Sequence, residues 1–596
     1  MRVSMTGGYM GRFVEVDLTR GTSEVGTLDP ARLKNWVGGK GLGLSLLWEL
    51  DRSDDPLDSG NPLIFLTGPL TGSGVQTSAR SCLVTRSPLT GGALDSHAGG
   101  LFGAWFKRTG HDYMIVKGAS SKPVYIHLTK SGATIEDAAG LWGKGCIDSE
   151  NSLKEKHKGA KTATIGPAGE NLVRFACITA DYSRNYGRGG AGAVMGSKKL
   201  KAVVVEGNDP ITYHDPARFK ELSSQMAKNI VEHPSKKRRY ELGTMMWVRM
   251  DQEIGGFLPT KNFKHGQWDE YEKITAEATA KALGWEHCGC FGCRIQCSKR
   301  AKWDGKMIEG PEYETAAYLG SGCLINDPKA IAEANWLCND LGLDTISAGV
   351  TISFAMEAAE KGLLDAEDNA SIKWGSAESV YDLIKKISAR KGIGDVLAEG
   401  TRRASAKIGK GSDYFAIQIG GMELSGVNPL GSYSMLLSLA TADFASHTRF
   451  WSCSDEMAGK LKLDALAKYI ADGQDEVCSR NSLIVCDFLP YGFSELAPFM
   501  EAATGMATTK ESLQELGQRI SALARLYNLR TGRTHADDLA VPGRFVNEES
   551  VSGLMKGKKV PLDQFERHVS EVFEARGWDS EGRPTAETLD RLGINL

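Results

Sequence analysis

The first third of the chain alternates short β-branched runs with glycine-rich turns. Runs at residues 12–19, 62–68, 81–87, 113–119, 123–129 and 200–207 are rich in Val, Ile, Leu and Thr and are bounded by Gly, Pro or Ser. Such runs are typical of strands joined by tight turns. We therefore expect a β-sheet domain over residues 1–210.

Past residue 210 the apolar residues recur every three to four positions. Residues 216–233, 327–344, 348–364, 511–530 and 562–578 show this period, which predicts amphipathic helices. Neither an internal repeat nor a low-complexity linker separates these segments. We expect two mainly α-helical domains, 211–418 and 419–596, fused with the sheet domain into one body of the α+β class.

Composition narrows the partner classes. The chain has 596 residues, too many for one core, and a formal charge of -3, which gives no electrostatic reason to expect nucleic-acid binding. No run approaches eighteen apolar residues, and the first nineteen residues lack the regions of a signal peptide. We expect a cytoplasmic protein with neither a nucleic-acid nor a membrane partner.

Four cysteines lie within ten positions, at residues 288–297, whereas twelve in the whole chain are too sparse for a disulfide framework. Cys290, Cys293 and Cys297 form C-x2-C-x3-C, which we expect to bring three thiols together on a turn that leads into a helix. Cys288 lies too close to Cys290 to share that geometry. An iron-sulfur cluster, a zinc site and incidental thiols all remain open, because spacing alone does not identify a fourth ligand.

Glycine-rich loops are the second chemical signal. The chain has 69 glycines, many of them in the first third. Glycine lets backbone N–H groups approach phosphates or a flat heterocycle, although ordinary turns explain the same pattern. Neither a dinucleotide-binding fingerprint nor a P-loop has the required context.

Taken together, the motifs resemble the aldehyde ferredoxin oxidoreductase family of tungsten-pterin, iron-sulfur enzymes. The resemblance runs nearly end to end and in the family's order. It rests on residues 67–74, 87–92, 165–176, 187–202, 290–297, 310–315, 339–347 and 576–594.

The resemblance implies a bis-pterin tungsten cofactor, a 4Fe-4S cluster and a Mg²⁺ ion that bridges pterin phosphates. The implied cluster ligands are Cys290, Cys293, Cys297 and, in the distant stretch 481–486, Cys486. The implied pterin-binding residues are Arg80, His97, Gly99, Asn185, Tyr186, Gly187, Arg188, Asn339, Leu343, Asp344, Arg449, Asn481 and Val485. This chain departs from the family's pattern at His97, Asn339, Asn481 and Ile484.

The resemblance also implies the catalytic residues. Glu314 and His447 match the family's acid-base pair, and Tyr313 is expected to position a substrate carbonyl. The implied reaction oxidises aldehydes to carboxylic acids, with electrons passing through the cluster to ferredoxin or to an iron-sulfur partner subunit.

Other interpretations remain open. A class II aryl-CoA reductase of the benzoyl-CoA type would use the same fold and cofactor in the reductive direction, and a cluster-bearing scaffold would lack turnover. Trp336 replaces the histidine of an E-x-x-H motif that begins at Glu333, so a metal that joins two subunits is not expected, and homo- and hetero-oligomers both stay open. Cys323 could approach the metal, but we expect it to fill the core.

Overall fold

Two six-stranded sheets form the first third of the molecule. The computed structural model describes residues 7–595, without the side chain of Leu554, so the expectations that concern residues 1–6 and 596 lie outside the described residues. The first sheet, ordered β2-β1-β6-β3-β4-β5, contains β1 (Arg12–Asp17), β2 (Thr22–Thr27), β3 (Leu63–Leu66), β4 (Ser81–Arg86), β5 (Ala93–Ala98) and β6 (Tyr113–Lys117). The second, ordered β11-β10-β9-β12-β7-β8, contains β7 (Val124–Thr129), β8 (Gly132–Asp137), β9 (Lys161–Thr164), β10 (Ile178–Ala180), β11 (Arg184–Tyr186) and β12 (Leu200–Val205).

The predicted strands are confirmed as β1, β3, β4, β6, β7 and β12. Every residue of β3 and β12 is buried, which explains why these strands are apolar rather than alternating, with Lys201 of β12 as the one charged residue. Helices α1 (Pro30–Trp36), α2 (Gly39–Leu50), α3 (Phe102–Arg108), α4 (Cys146–Lys156), α5 (Pro167–Glu170) and α6 (Ala191–Ser197) connect and cover the strands.

Helices dominate the rest of the chain. The middle third contains α7 (Pro216–Glu232), α8 (Pro234–Leu242), α9 (Met246–Met250), α10 (Ala276–Leu283), α11 (Tyr313–Thr315), α12 (Pro328–Leu341), α13 (Thr345–Glu360), α14 (Ala366–Ser371), α15 (Ala377–Ala389), α16 (Ile393–Leu397) and α17 (Thr401–Ile408). The last third contains α18 (Tyr433–Thr441), α19 (Cys453–Met457), α20 (Leu466–Leu483), α21 (Phe493–Thr504), α22 (Lys510–Arg530), α23 (His535–Leu539), α24 (Gly543–Asn547), α25 (Leu562–Ala575) and α26 (Ala586–Arg591). The predicted helices and the α+β class are confirmed.

One local expectation was wrong. The loop with the cysteine trio leads into a strand, not a helix, because it joins β13 (Glu286–Cys288) to β14 (Ser298–Trp303), which pairs onward with β15 (Lys306–Glu309). Cys288 pairs with Ser298 in this antiparallel sheet. The helix was expected from the spacing of the cysteines. The local structure is determined instead by the antiparallel pairing of β13 with β14, the strands on either side of the cysteine loop. A two-stranded sheet, β16 (Gln418–Ile419) and β17 (Met422–Glu423), closes the middle third.

Glycine permits the close packing of α2 against the end of α20. A Cβ atom on Gly39 would lie 2.2 Å from the carbonyl oxygen of Asn481, and Gly39 has a φ of 38°, which disfavours other residues. This contact places the start of α2 against the segment that leads to Cys486. At this position, therefore, a glycine-rich stretch serves backbone packing.

The described residues, 7–595, include no helix that is both long enough and apolar enough to cross a membrane.

Candidate active site and cluster site

Two adjoining cavities lie where the three thirds of the chain meet. The larger has a volume of about 560 Å³, and its walls include the four cysteines of the expected cluster together with Tyr313, Glu314 and His447. The smaller has a volume of about 200 Å³, and its walls include eight of the expected pterin-binding residues: Arg80, His97, Asn185, Gly187, Arg188, Arg449, Asn481 and Val485. Arg80, His97 and His447 line both cavities, so the two sites share a wall.

The four thiols come from two segments, and the second of them is hydrogen-bonded to the sheet domain of residues 1–210. Cys290, Cys293 and Cys297 lie in the loop between β13 and β14, and the N–H of Cys486 donates a hydrogen bond to the carbonyl oxygen of Thr77 at 3.2 Å. All four thiol-bearing residues are half-buried. Cys288 is not part of this wall.

Gly99 leaves space beside this cysteine wall. A Cβ atom on Gly99 would lie 2.8 Å from the Sγ atom of Cys290, and no other atom would lie within 4 Å of it. A four-thiol donor set with free volume beside it fits an iron-sulfur cluster, which is bulkier than a single zinc ion.

The electrostatics of the thiols depend on burial and on Arg80. Burial raises the pKa of Cys297 to about 12 and the pKa of Cys486 well above its ordinary value, while the Arg80 guanidinium opposes the shift at Cys486. Arg80 also pairs with Asp487 at 3.1 Å. A bound metal supplies the positive charge that such buried thiolates require.

A compact ionic network, which we call the Asp95 network, supports the smaller cavity. Arg449 donates two hydrogen bonds to the carboxylate of Asp95, at 2.9 and 2.8 Å, and its Nε lies 2.9 Å from Asp443. The ammonium of Lys40 lies 3.2 Å from Asp95 and 2.5 Å from Asp443. Burial alone would raise the pKa of Asp95, but Arg449 and Lys40 hold it well below its usual range.

His97 links this network to the cavity. Its Nε2 lies 3.0 Å from Asp95, while its buried Nδ1 has no partner among the described residues. Burial lowers the pKa of His97, so the ring is neutral at physiological pH. An unpaired ring nitrogen on a cavity lined by amides and guanidinium groups fits a large polar heterocycle such as a pterin.

Four of the expected pterin-binding residues lie outside both cavities and contact other residues of the site. The side-chain amide of Asn185 donates to the side chain of Asn339 at 2.8 Å, and Arg188 lies 3.3 Å from Asp344. Asp344 caps α13 by accepting from the N–H groups of Ile346 and Ser347. Leu343 forms a backbone bridge with Ala176, and the hydroxyl groups of Tyr186 and Ser81 lie 2.6 Å apart. These four residues, Tyr186, Asn339, Leu343 and Asp344, do not line either cavity.

Glu314 and His447 form a neutral pair in the larger cavity, and His447 also lines the smaller one. The Oε1 atom of Glu314 lies 3.3 Å from the Nδ1 atom of His447. Burial raises the pKa of Glu314 to about 8, so this carboxyl is protonated at neutral pH. Burial, assisted by the Arg188 guanidinium, lowers the pKa of His447 to about 3, so its imidazole is uncharged. The pair therefore combines a proton donor with a proton acceptor.

Gly426 makes hydrogen bonds with Glu314, a member of this pair, and with the adjacent residue Tyr313. Its N–H donates to Oε2 of Glu314 at 3.1 Å, and its carbonyl oxygen accepts a hydrogen bond from the hydroxyl of Tyr313 at 2.6 Å. The φ of Gly426 is 89°, a value that L side chains rarely adopt. The expectation that Tyr313 positions a substrate carbonyl stays a prediction, because in this structure its hydroxyl is used by Gly426.

The sequence analysis missed Lys40, Asp95, Asp443 and Gly426. Lys40 stands in a glycine-rich stretch that was considered only as a nucleotide motif, and its burial with two carboxylates had no local signal. Two other expectations concern residues outside the cavities. Cys323, which was expected to fill the core, is fully buried, and its Sγ lies 3.3 Å from the carbonyl oxygen of Tyr318. Glu333, where the E-x-x-H motif would begin, lies 2.6 Å from the ammonium of Lys306.

Comparisons with known proteins cover the whole length. The family model described as "Aldehyde ferredoxin oxidoreductase, N-terminal domain" matches residues 13–207. The model described as "Aldehyde ferredoxin oxidoreductase, domains 2 & 3" matches residues 221–594. The tungsten-containing aldehyde ferredoxin oxidoreductase of Pyrococcus furiosus is 36% identical, over 98% of this chain and 99% of the relative.

Two further relatives have names that describe other activities. The "Aliphatic sulfonate oxidoreductase, WOR-like subunit" of Pyrococcus furiosus is 31% identical, over 98% of this chain and 97% of that protein. Among solved structures, the active-site complex of benzoyl coenzyme A reductase with 1,5-dienoyl-CoA matches with a TM-score of 0.86 and 26% identity. The match covers 99% of this chain and 98% of the other.

Proposed function

The chain belongs to the aldehyde ferredoxin oxidoreductase family, and from that premise we propose that it oxidises aldehydes to carboxylic acids as a tungstopterin enzyme. Electrons would leave through a 4Fe-4S cluster to ferredoxin or to an iron-sulfur partner subunit. The observation that carries the proposal is the neutral Glu314–His447 pair, 3.3 Å apart in the larger cavity, whose His447 also lines the smaller cavity.

The residues divide the task of holding the cofactors. Cys290, Cys293, Cys297 and Cys486 would hold the cluster, with Arg80 beside Cys486 on the wall common to both cavities. His97, Asn185, Arg188, Arg449 and Asn481 would bind the pterins. When bound, the tungsten-pterin group supplies two-electron redox chemistry and the cluster supplies single-electron transfer.

Aldehyde oxidation adds the oxygen of water to the carbonyl carbon and releases two protons and two electrons. We assign the hydrogen bond to the substrate carbonyl to Glu314, because its carboxyl keeps its proton at neutral pH. His447, which is neutral, would accept a proton from water. Gly426 holds Glu314 in place, and Tyr313 acts through Gly426 as a positioning residue.

Metal analysis and an electron-acceptor assay of the anaerobically purified protein test the proposal. We expect about one tungsten and about four irons per chain, and aldehyde-dependent reduction of a viologen dye. Magnesium in the same analysis tests the expected phosphate-bridging ion. Glu314→Gln should lower turnover by about 100-fold while retaining metals, because an amide cannot transfer a proton, and Glu333→Gln, at an acid outside both cavities, should retain both turnover and metals. Absence of tungsten would contradict the proposal.

Reduction of an aromatic acyl-CoA is the second candidate. It is favoured by the similarity to the benzoyl coenzyme A reductase complex and by the aromatic residues of the larger cavity, Trp247, Phe450, Trp451 and Phe488. A protein with both metals and no aldehyde turnover, but with reduction of benzoyl-CoA by a low-potential donor, would select this candidate.

A further inference from the structure

A basic helix lies beside the cysteine wall. Helix α8 (Pro234–Leu242) contains four consecutive cations and has no buried residue. They are Lys236, Lys237, Arg238 and Arg239. The only acid within α8 is Glu241, and the chain as a whole has a formal charge of -3, so this run departs from the average surface. We call residues 236–239 the α8 basic run.

The α8 basic run makes no ion pair among the described residues, 7–595. The neighbouring ion pairs belong to Arg218 with Glu221 and to Arg249 with Glu253. Lys237 and Arg238 are exposed. Cations without an acidic partner on a solvated helix leave a positive surface potential that can attract an acidic protein.

Contacts on both sides place α8 against the cluster ligands. The ring of Tyr240 stacks on His287, with centroids 4.0 Å apart, and His287 lies in β13 just before the cysteine loop. The guanidinium carbon of Arg239 lies 4.6 Å from the ring centroid of Phe488, two residues after Cys486, and Arg239 lines the larger cavity. The helix thus bridges both segments that supply thiols, and the cysteine loop itself carries the exposed Arg294.

We propose that the α8 basic run and Arg294 form the docking surface for a separate, acidic iron-sulfur protein that binds transiently beside the cluster. This inference rests on the proposed function, because it assigns the partner of that same site. A permanently bound subunit would require an apolar interface, whereas α8 presents charge and no buried apolar side chain. Charge complementarity over a small area is typical of transient electron-transfer complexes.

A charge-reversed holoenzyme tests the surface. The test variant combines Lys236→Glu, Lys237→Glu and Arg238→Glu, and leaves the cavity residue Arg239 intact. The control variant combines Lys556→Glu, Lys558→Glu and Lys559→Glu, which makes the same charge change at three exposed residues that do not line the larger cavity. The probe is an oxidised, recombinant acidic ferredoxin, and the readout is its equilibrium dissociation constant at about 10 mM and about 200 mM ionic strength.

We expect the test variant to bind ferredoxin at least about tenfold more weakly at low ionic strength, and the control to stay within about twofold. Binding of the parent enzyme should weaken as salt is added, and the test variant should lose most of this salt dependence. Equal effects of the two variants would overturn the proposal, and so would purification with an iron-sulfur subunit that salt does not remove.

The same preparations separate this inference from the proposed function. The readout is binding, so it does not require aldehyde turnover. Viologen-linked aldehyde oxidation should be the same in the parent and the test variant, because the dye does not need the protein-docking surface. An inactive parent enzyme with the predicted binding difference would refute aldehyde oxidation and retain the docking surface, whereas an active parent with equal binding by both variants would do the reverse.

Discussion

Two sets of buried ionisable groups border the same cavities, and burial affects them in opposite ways. In the Asp95 network, each charged group lies within 3.2 Å of an opposite charge, and these neighbours keep Lys40, Asp95 and Arg449 ionised. The Glu314–His447 pair lacks such compensation, and burial removes the charge from both members. The comparison indicates that the Asp95 network stabilises the fold. The Glu314–His447 pair instead holds a proton that can be transferred and that makes no contribution of this kind to folding.

The largest effect should follow from breaking the Asp95 network. Asp95→Asn would leave Lys40 and Arg449 with less negative charge than they require, so we expect a loss of about 3–5 kcal/mol of stability. The denaturant midpoint of the holoenzyme measures it. Asp137→Asn is the matched control, because Asp137 pairs with Lys122 at 3.2 Å on the surface, where solvent screens the ion pair and the midpoint should hardly change. Equal losses would contradict the role assigned to the network.

Glu314→Gln should act in the opposite direction on stability. The pKa of Glu314 in the folded protein, about 8, exceeds its ordinary value of 4.5. The stabilisation by the protonated carboxyl is therefore complete below pH 4.5 and is lost as the pH rises through about 8. We expect the variant to have a higher denaturant midpoint than the parent between about pH 7 and 9. We expect its activity to be about 100-fold lower than that of the parent. A lower midpoint would contradict the assignment of a costly buried acid.

The pH dependence of turnover sharpens the same point. If the protonated form of Glu314 is the active one, kcat/KM should fall as the pH rises through about 8. His447 should stay neutral over the whole range above about pH 3, so it should add no second limb near neutrality. The residual activity of Glu314→Gln should lack the limb near pH 8, and persistence of that limb would assign it to another group.

A smaller effect is expected at Gly426. Gly426→Ala would force a side chain into a φ of 89° and place Cβ 3.2 Å from the Cβ of His447, so we expect a cost of about 1–3 kcal/mol together with a reduced kcat. Gly459→Ala is the control, because Gly459 has a φ of 66° and open space around it. The control should reproduce the strain without the loss of kcat, and a similar loss in both would exclude a positioning role for Gly426.

The smallest effect is expected at Tyr313. Tyr313→Phe removes one hydrogen bond to Gly426, which is worth about 0.5–1.5 kcal/mol. Because the hydroxyl acts through Gly426, kcat should fall while KM changes little. Tyr433→Phe, which removes a contact of 2.9 Å with His568, is the control and should leave both constants unchanged. A raised KM with normal kcat would instead indicate direct contact of Tyr313 with substrate.

The sequence predicted the elements better than the site. The strands of the sheet domain and the long helices were readable because their periods are local. The neighbouring hairpin of β14 and β15 was also readable in principle, since Asp304 and Gly305 form a two-residue turn signal between these strands, with φ values of 48° and 71°. The cysteine loop between β13 and β14 carries no such turn signal, and its spacing was interpreted as the start of a helix.

The ionic support of the site had no comparable signal. Lys40 and Asp443 are 403 positions apart, and Asp95 and Arg449 are 354 apart. Contacts of this separation depend on how the thirds of the chain pack, which neither periodicity nor spacing encodes. The family resemblance supplied Arg449 as a candidate, but not the carboxylates that hold it.

The Asp95 network also has a consequence for synthesis on the ribosome. The first third supplies one cation and one anion, Lys40 and Asp95, and the last third supplies another such pair, Arg449 and Asp443. Each segment therefore emerges with its own charge already balanced, and the nascent sheet domain can pair Lys40 with Asp95 long before residue 443 is translated. Later docking of the last third then joins two neutral pairs, so no unpaired charge has to wait in a partly made chain.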